Sequence, residues 1–222
     1  MTITPESVKQ LLYSDNFGDR IKGINELKKL ESAVAFSLIQ PILKDDNVRV
    51  RYAAVSQLDS IGDANREESL ELLLDTLYND PEADVRAAAA DAIAGLKLQE
   101  AFPDLKKVYQ ETNDWLIQFS IIAALGELGH PEGFDILREA LAGDNSLLQT
   151  TAISALGELG DKRAIDLLLP FVNNEDWQIR HRLAQALGKL GGDKAQEILQ
   201  KLSQDELDIV AQEAKTLIMS EN

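Results

Sequence analysis

The chain has 222 residues, 38 of them acidic and 22 basic, for a formal charge of −16. That balance repels a phosphate backbone and no basic patch offsets it, so nucleic-acid binding is not expected. Hydrophobic residues reach 45% and cysteine is absent, which excludes an acidic disordered chain, disulfide staples, thiolate–metal sites and a cysteine nucleophile. No apolar run is long enough for a membrane span, and Met1 to Ser7 lack the basic start and apolar stretch of a signal peptide. A soluble, cytoplasmic globular protein without membrane insertion is the expectation.

In chain order, Thr4 then Pro5 reads as a helix start: a capping hydroxyl, followed by proline at the first helical position. Lys22, Asn25, Lys28 and Lys29 give the next helix a polar face, as the end of a stack requires. Val50, Ala53, Ala54, Leu58 and Ile61 then recur at helical spacing, and Gly62 marks the stop. Leu70 to Leu77 predicts a leucine-rich helix. Ile117, Ser120, Ile121, Leu125 and Leu128 predict another that ends at Gly129, and Ile136 to Leu141 follows it. Ile165 to Phe171 predicts a further helix, and Ile179, Arg182, Leu183, Leu187 and Leu190 lead to Gly191. The last segment ends in Met219-Ser220-Glu221-Asn222 with no glycine in its second helix, again an end feature. Apolar residues nowhere alternate as a strand would require.

The string Ala-Leu-Gly-Glu-Leu-Gly at 124–129 returns at 155–160, and Ala186-Leu187-Gly188-Lys189-Leu190-Gly191 nearly repeats it. Anchored on Leu27, Leu58, Ile93, Leu125, Leu156, Leu187 and Leu217, the spacings are 31, 35, 32, 31, 31 and 30. A fixed period in this range signals a solenoid of stacked units. The reading is all-α: an α-α superhelix of about seven two-helix units, about fourteen helices, with one continuous core. As one domain, 1–222, its units run about 1–32, 33–65, 66–98, 99–130, 131–161, 162–193 and 194–222. The 35-residue spacing implies extra residues in turns, around Asp63 to Glu68 and Asn79 to Asp84.

Asp45-Asp46-Asn47-Val48-Arg49-Val50-Arg51-Tyr52-Ala53-Ala54 and Asp80-Pro81-Glu82-Ala83-Asp84-Val85-Arg86-Ala87-Ala88-Ala89 share an acidic turn, then Val-Arg, then paired alanines. This pattern resembles the short HEAT repeat of the phycobilisome lyase type, over essentially the whole chain. An arginine just after the turn can bond an acidic group or carbonyl in the neighbouring turn. That position reads Arg20, Arg51, Arg86, Gln118, Gln149, Arg180 and Val210. Within that repeat class, the length, the seven units, the acidic balance and the opening Met1-Thr2-Ile3-Thr4-Pro5-Glu6-Ser7-Val8 resemble a cyanobacterial group of phycobilisome degradation proteins. That resemblance implies association with phycobiliproteins (phycocyanin or allophycocyanin) and with other proteins of phycobilisome degradation. Detachment of the bilin chromophore is the activity implied. A non-catalytic scaffold and one subunit of a heterodimeric phycocyanobilin lyase are the alternatives. Phycocyanobilin is the expected ligand, with no permanently bound cofactor.

The resemblance also implies that second helices line a groove. Tyr52, Phe119, Ile122, Ile153 and His181 are then expected to face it, an apolar stripe that marks a partner or ligand unless adjacent helices bury it. Trp115 and Trp177 occupy the same repeat position, each after an aspartate. They either stack on a flat guest at the groove rim or simply follow a helix cap. His181, between Arg180 and Arg182, could exchange a proton with a bilin while the arginines pair its carboxylates. With two histidines far apart and no clustered ligands, no metal site is expected. No catalytic residue is identified, and residues about 114–185 are the expected contact surface.

Overall fold

The computed structural model describes residues 3–220, which contain fourteen α-helices, four 3-10 turns and no strand. They pair as α1 (Pro5–Leu12) with α2 (Phe17–Leu27), α3 (Ser32–Ile39) with α4 (Val48–Ile61), and α5 (Arg66–Asn79) with α6 (Ala83–Gly95). Then come α7 (Phe102–Glu111), α8 (Trp115–Leu128), α9 (Gly133–Ala142) and α10 (Ser146–Leu159). The series ends with α11 (Ala164–Leu168), α12 (Trp177–Leu190), α13 (Asp193–Leu202) and α14 (Asp208–Ser220).

Each boundary has a local cause. The Thr4 hydroxyl accepts from the Ser7 N–H at 3.2 Å, and the Ser7 hydroxyl accepts from the Thr4 N–H at 2.9 Å. Asn16, Asn47, Asn145 and Asp176 cap α2, α4, α10 and α12 through their side chains. The second glycine of the Ala-Leu-Gly-Glu-Leu-Gly string ends its helix in the left-handed region, with φ 74° at Gly129 and 73° at Gly160. Gly62 stays right-handed and leads α4 into a 3-10 turn, Gly62–Asn65. Helix α11 stops at Leu168, short of the expected Phe171, because Pro170 has no N–H to continue it and a 3-10 turn takes over.

Two expectations about register are corrected. Second helices start at 17, 48, 83, 115, 146, 177 and 208, so the last spacing is 31, not 30. Ile218 therefore takes the place assigned to Leu217, and Ala211 that assigned to Val210. Val210 matches Val50 instead, and both are fully buried. The extra residues behind the 35-residue spacing are not in turns. They lengthen α5 to 14 residues where α9 has 10, one added helical turn.

The chain divides into two compact units, Met1–Ile121 and Ile122–Asn222. In the first, α2, α4 and α6 pack in succession, each backed by its hairpin partner, over Leu27, Ile39, Val50, Leu58, Leu73 and Ile93. In the second, α10, α12 and α14 do the same over Ile153, Leu156, Leu183, Leu187 and Leu199. Each such side chain contributes about 1.5–3 kcal/mol by leaving water. Among the described residues no helix is long and apolar enough to cross a membrane.

Candidate functional site: the exposed ends of the second helices

The repeated arginine is structural. Arg51 donates through Nε and Nη2 to Asp80 at 2.8 and 3.1 Å, and through Nη1 to the Asp45 carbonyl at 3.0 Å. It therefore binds its own turn and the next one. Arg20 does the same with Asp45 at 2.8 Å and the Ser14 carbonyl. Arg180 does so with Asp205 at 2.7 and 2.9 Å and the Asn174 carbonyl at 2.7 Å. Hydrogen bonds from Arg180 hold the Asp205 carboxyl below the usual carboxylate range. Burial opposes the charged form of Asp80, but the Arg51 bonds prevail and lower it too. Arg86 donates to the Leu77 carbonyl at 2.7 Å. Gln118 and Gln149 keep the bond to their own turn, through the Thr112 carbonyl at 3.1 Å and the Gly143 carbonyl at 2.7 Å. The aspartate two residues before the cap completes the rule. Where Asp45, Asp80 or Asp205 stands there, the preceding repeat has arginine; where Gly143 or Asn174 stands there, it has glutamine; Thr112, after the repeat with Arg86, is the exception.

Arg180 is thus corrected as a groove residue. It is 6% exposed, and its donors are occupied by Asp205 and turn carbonyls, so it is not held ready for a guest carboxylate. Ile122 and Ile153 are corrected as well: both are fully buried, not part of an exposed stripe. The physical reason lies one turn further along. A Cβ on Gly126 would meet the Ala155 Cα at 2.6 Å, and one on Gly157 the Ala186 Cα at 2.7 Å. Glycine lets neighbouring second helices approach backbone to backbone, and that approach seals the apolar position beside it. Replacing Phe119 and Ile122 together with serine is accordingly expected to cost stability, about 3 kcal/mol or more from the buried isoleucine alone. Urea unfolding of that variant checks it, and an unchanged midpoint would contradict the burial.

The remaining expected residues do reach solvent. In the first unit Tyr52 is 48% and Trp115 53% exposed, and Phe119 is half-buried one turn beyond Trp115. The Asp114 carboxylate caps α8 by accepting from the Leu116 N–H at 2.9 Å, so Trp115 follows a cap and is still free to make contacts. Phe17, after Asn16, holds the repeat position of Trp115 and Trp177, as its sequence spacing indicates, and its ring lies 6.0 Å from the Arg49 guanidinium beside Tyr52. In the second unit Trp177 is 37% exposed, and its ring meets that of His181 edge-on, centroids 6.5 Å apart. The Glu213 carboxylate lies 3.9 Å from the His181 Nε2, and Arg182 is exposed with one 3.5 Å bond to the Gln185 side chain. Leu147 and Ile209, unremarked in the sequence, are 44% and 53% exposed near the starts of α10 and α14. Each stands at the second position of its helix.

These side chains can stack on a flat ring, pair one carboxylate and exchange a proton at His181. No group of three or more metal-ligating side chains occurs among the described residues.

A family model for HEAT repeats matches residues 4–94, 70–152 and 140–218. No curated protein matches the chain. Among solved structures, a chain of the complex of CpcE and CpcF of phycocyanin lyase from Nostoc sp. PCC7120 is similar. Identity is 22% over 99% of this chain and 95% of that one, with a TM-score of 0.65. The archaeal HEAT-like repeats protein from Thermococcus onnurineus NA1 is 16% identical over 99% and 97%, with a TM-score of 0.59. An engineered protein is 19% identical over 97% and 67%, with a TM-score of 0.60. At these identities the neighbours define the fold. The family model matches most of the chain, which belongs to the HEAT-repeat family.

Proposed function

We propose that this HEAT-repeat protein binds phycobiliproteins and serves in phycobilisome degradation, as the resemblance to the cyanobacterial non-bleaching B proteins implies. The observation that carries the reading is the likeness to a chain of the phycocyanin lyase complex, which covers 99% of this chain and 95% of that one. In the second unit, Trp177 offers an aromatic face and Arg182 an exposed guanidinium. Against a phycocyanin or allophycocyanin surface they would act as an apolar anchor and a partner for carboxylates. The same two groups suit an open-chain tetrapyrrole with its propionates, so phycocyanobilin is the proposed ligand.

Chemistry at that ligand would fall to His181, as its general acid or base. The chain has no cysteine, so a bilin released from its thioether cannot be taken up as a thioether here. Docking without chemistry is the second reading, favoured by a site that offers His181 with a single carboxylate, Glu213, beside it. Mixing the protein with chromophorylated phycocyanin and following free bilin by absorbance separates the two. Bilin release that is lost in His181→Gln supports the chemical role. A complex that leaves every bilin attached assigns the scaffold, and absence of both sinks the proposal.

A further inference from the structure

A second recognition feature lies in the same unit, on the turn side of the last two repeats. Pro170 cuts α11 to 5 residues, and the 3-10 turn Leu169–Asn173 that replaces its end leaves a cleft against the end of α13. The cleft measures about 850 Å³, and its lining includes Leu169, Val172, Glu175, Lys201, Leu202 and Glu206. Arg180 and Asp205 also line it, but they neutralise one another through two hydrogen bonds. What remains is Leu169, Val172 and Leu202 beside two carboxylates, one ammonium and the amides of Asn173, Asn174 and Gln204. Leu169 is 38% exposed there, and Leu207, next to Glu206, is 39% exposed. The Glu206 side chain is 84% exposed, with only a 3.7 Å approach to Arg180. Asp208 adds a further exposed charge at the start of α14.

We propose that this cleft docks a partner segment that carries apolar side chains flanked by lysine or arginine. Charge complementarity selects that occupant. An acidic segment would meet Glu175 and Glu206 in a chain of charge −16, and so would a second copy of this chain. A purely basic, polar segment would leave Leu169 and Val172 in water. The opening formed by Pro170 gives the apolar side chains somewhere to go, and the carboxylates at its edge fix the cations.

The test uses the whole chain and a fluorescently labelled amphipathic peptide of leucine and lysine, read by anisotropy. Three variants are compared: Glu175→Gln with Glu206→Gln, Leu169→Ser, and Glu67→Gln with Glu71→Gln as a charge-matched change on α5. All five positions are exposed, so circular dichroism should show the fold retained in each. Each cleft variant is expected to weaken binding about tenfold, and the α5 variant less than about twofold. Equal losses in the cleft and α5 charge variants would reduce the effect to general attraction and overturn the proposal. Unchanged binding by Leu169→Ser, together with equal affinity for a peptide with serine in place of leucine, would overturn it too.

Discussion

Arg180→Ala is expected to lower the free energy of unfolding by about 3–5 kcal/mol, because it leaves a buried carboxylate without its partner. Asp205 and Arg180 each have a side chain only 7% exposed, and their two bonds are short and parallel. The variant also strips the Asn174 and Glu175 carbonyls of a donor. The chain itself shows how to repair the loss. Gln149 bonds its own turn and precedes a repeat with Asn174 where others have aspartate. Arg180→Gln combined with Asp205→Asn copies that pairing, and should recover all but about 1 kcal/mol.

The same pair predicts a pH dependence. The folded pKa of Asp205 lies below the unfolded value, so its contribution is complete above about pH 4 and drains away as pH falls through the folded value. Urea unfolding should therefore separate wild type from Arg180→Ala most at pH 7, and less as acid protonates Asp205. A gap that stays constant into strong acid would contradict the pairing.

Gly157→Ala is the second large effect, and its sign opposes helix propensity. Alanine in the middle of a helix gains about 1 kcal/mol over glycine. Here the new Cβ would meet the Ala186 Cα at 2.7 Å and its Cβ at 2.9 Å, closer than real contacts allow. Both atoms sit on or next to backbone in α12, so no rotamer change relieves them. Whole helices would have to part, and the expected net loss is about 1–3 kcal/mol. Gly133 is the control, since a Cβ there would find its nearest neighbour at 3.7 Å. Gly133→Ala should be neutral or slightly stabilising. If both variants melt alike, close helix approach does not decide stability.

The period, the helix count and several caps were legible because they depend on single residue types at fixed spacing: Thr4, Asp176, Gly129. The ladder was half legible. Its arginines stood out, but its aspartates lie 25 to 29 residues further on, and pairing them needed the position before each cap to be aligned as well. Burial at Ile122 and Ile153 was not readable from their own helices. It follows from how near the next helix comes, and that distance is set by Gly126 and Gly157. The place of Leu217 slipped by one because the last helix has no capping side chain or glycine to fix its register. Exposed aromatics at Trp115 and Trp177 were visible as a repeat. That each follows a cap and remains open to solvent required the structure.

Binding to phycocyanin tests the central claim most directly. Sedimentation or calorimetry with the intact chain and chromophorylated phycocyanin should give a saturable complex. Trp177→Ala with Arg182→Ala should weaken it about tenfold while helical content stays constant. No complex at concentrations far above micromolar, or full affinity in that variant, would contradict the account.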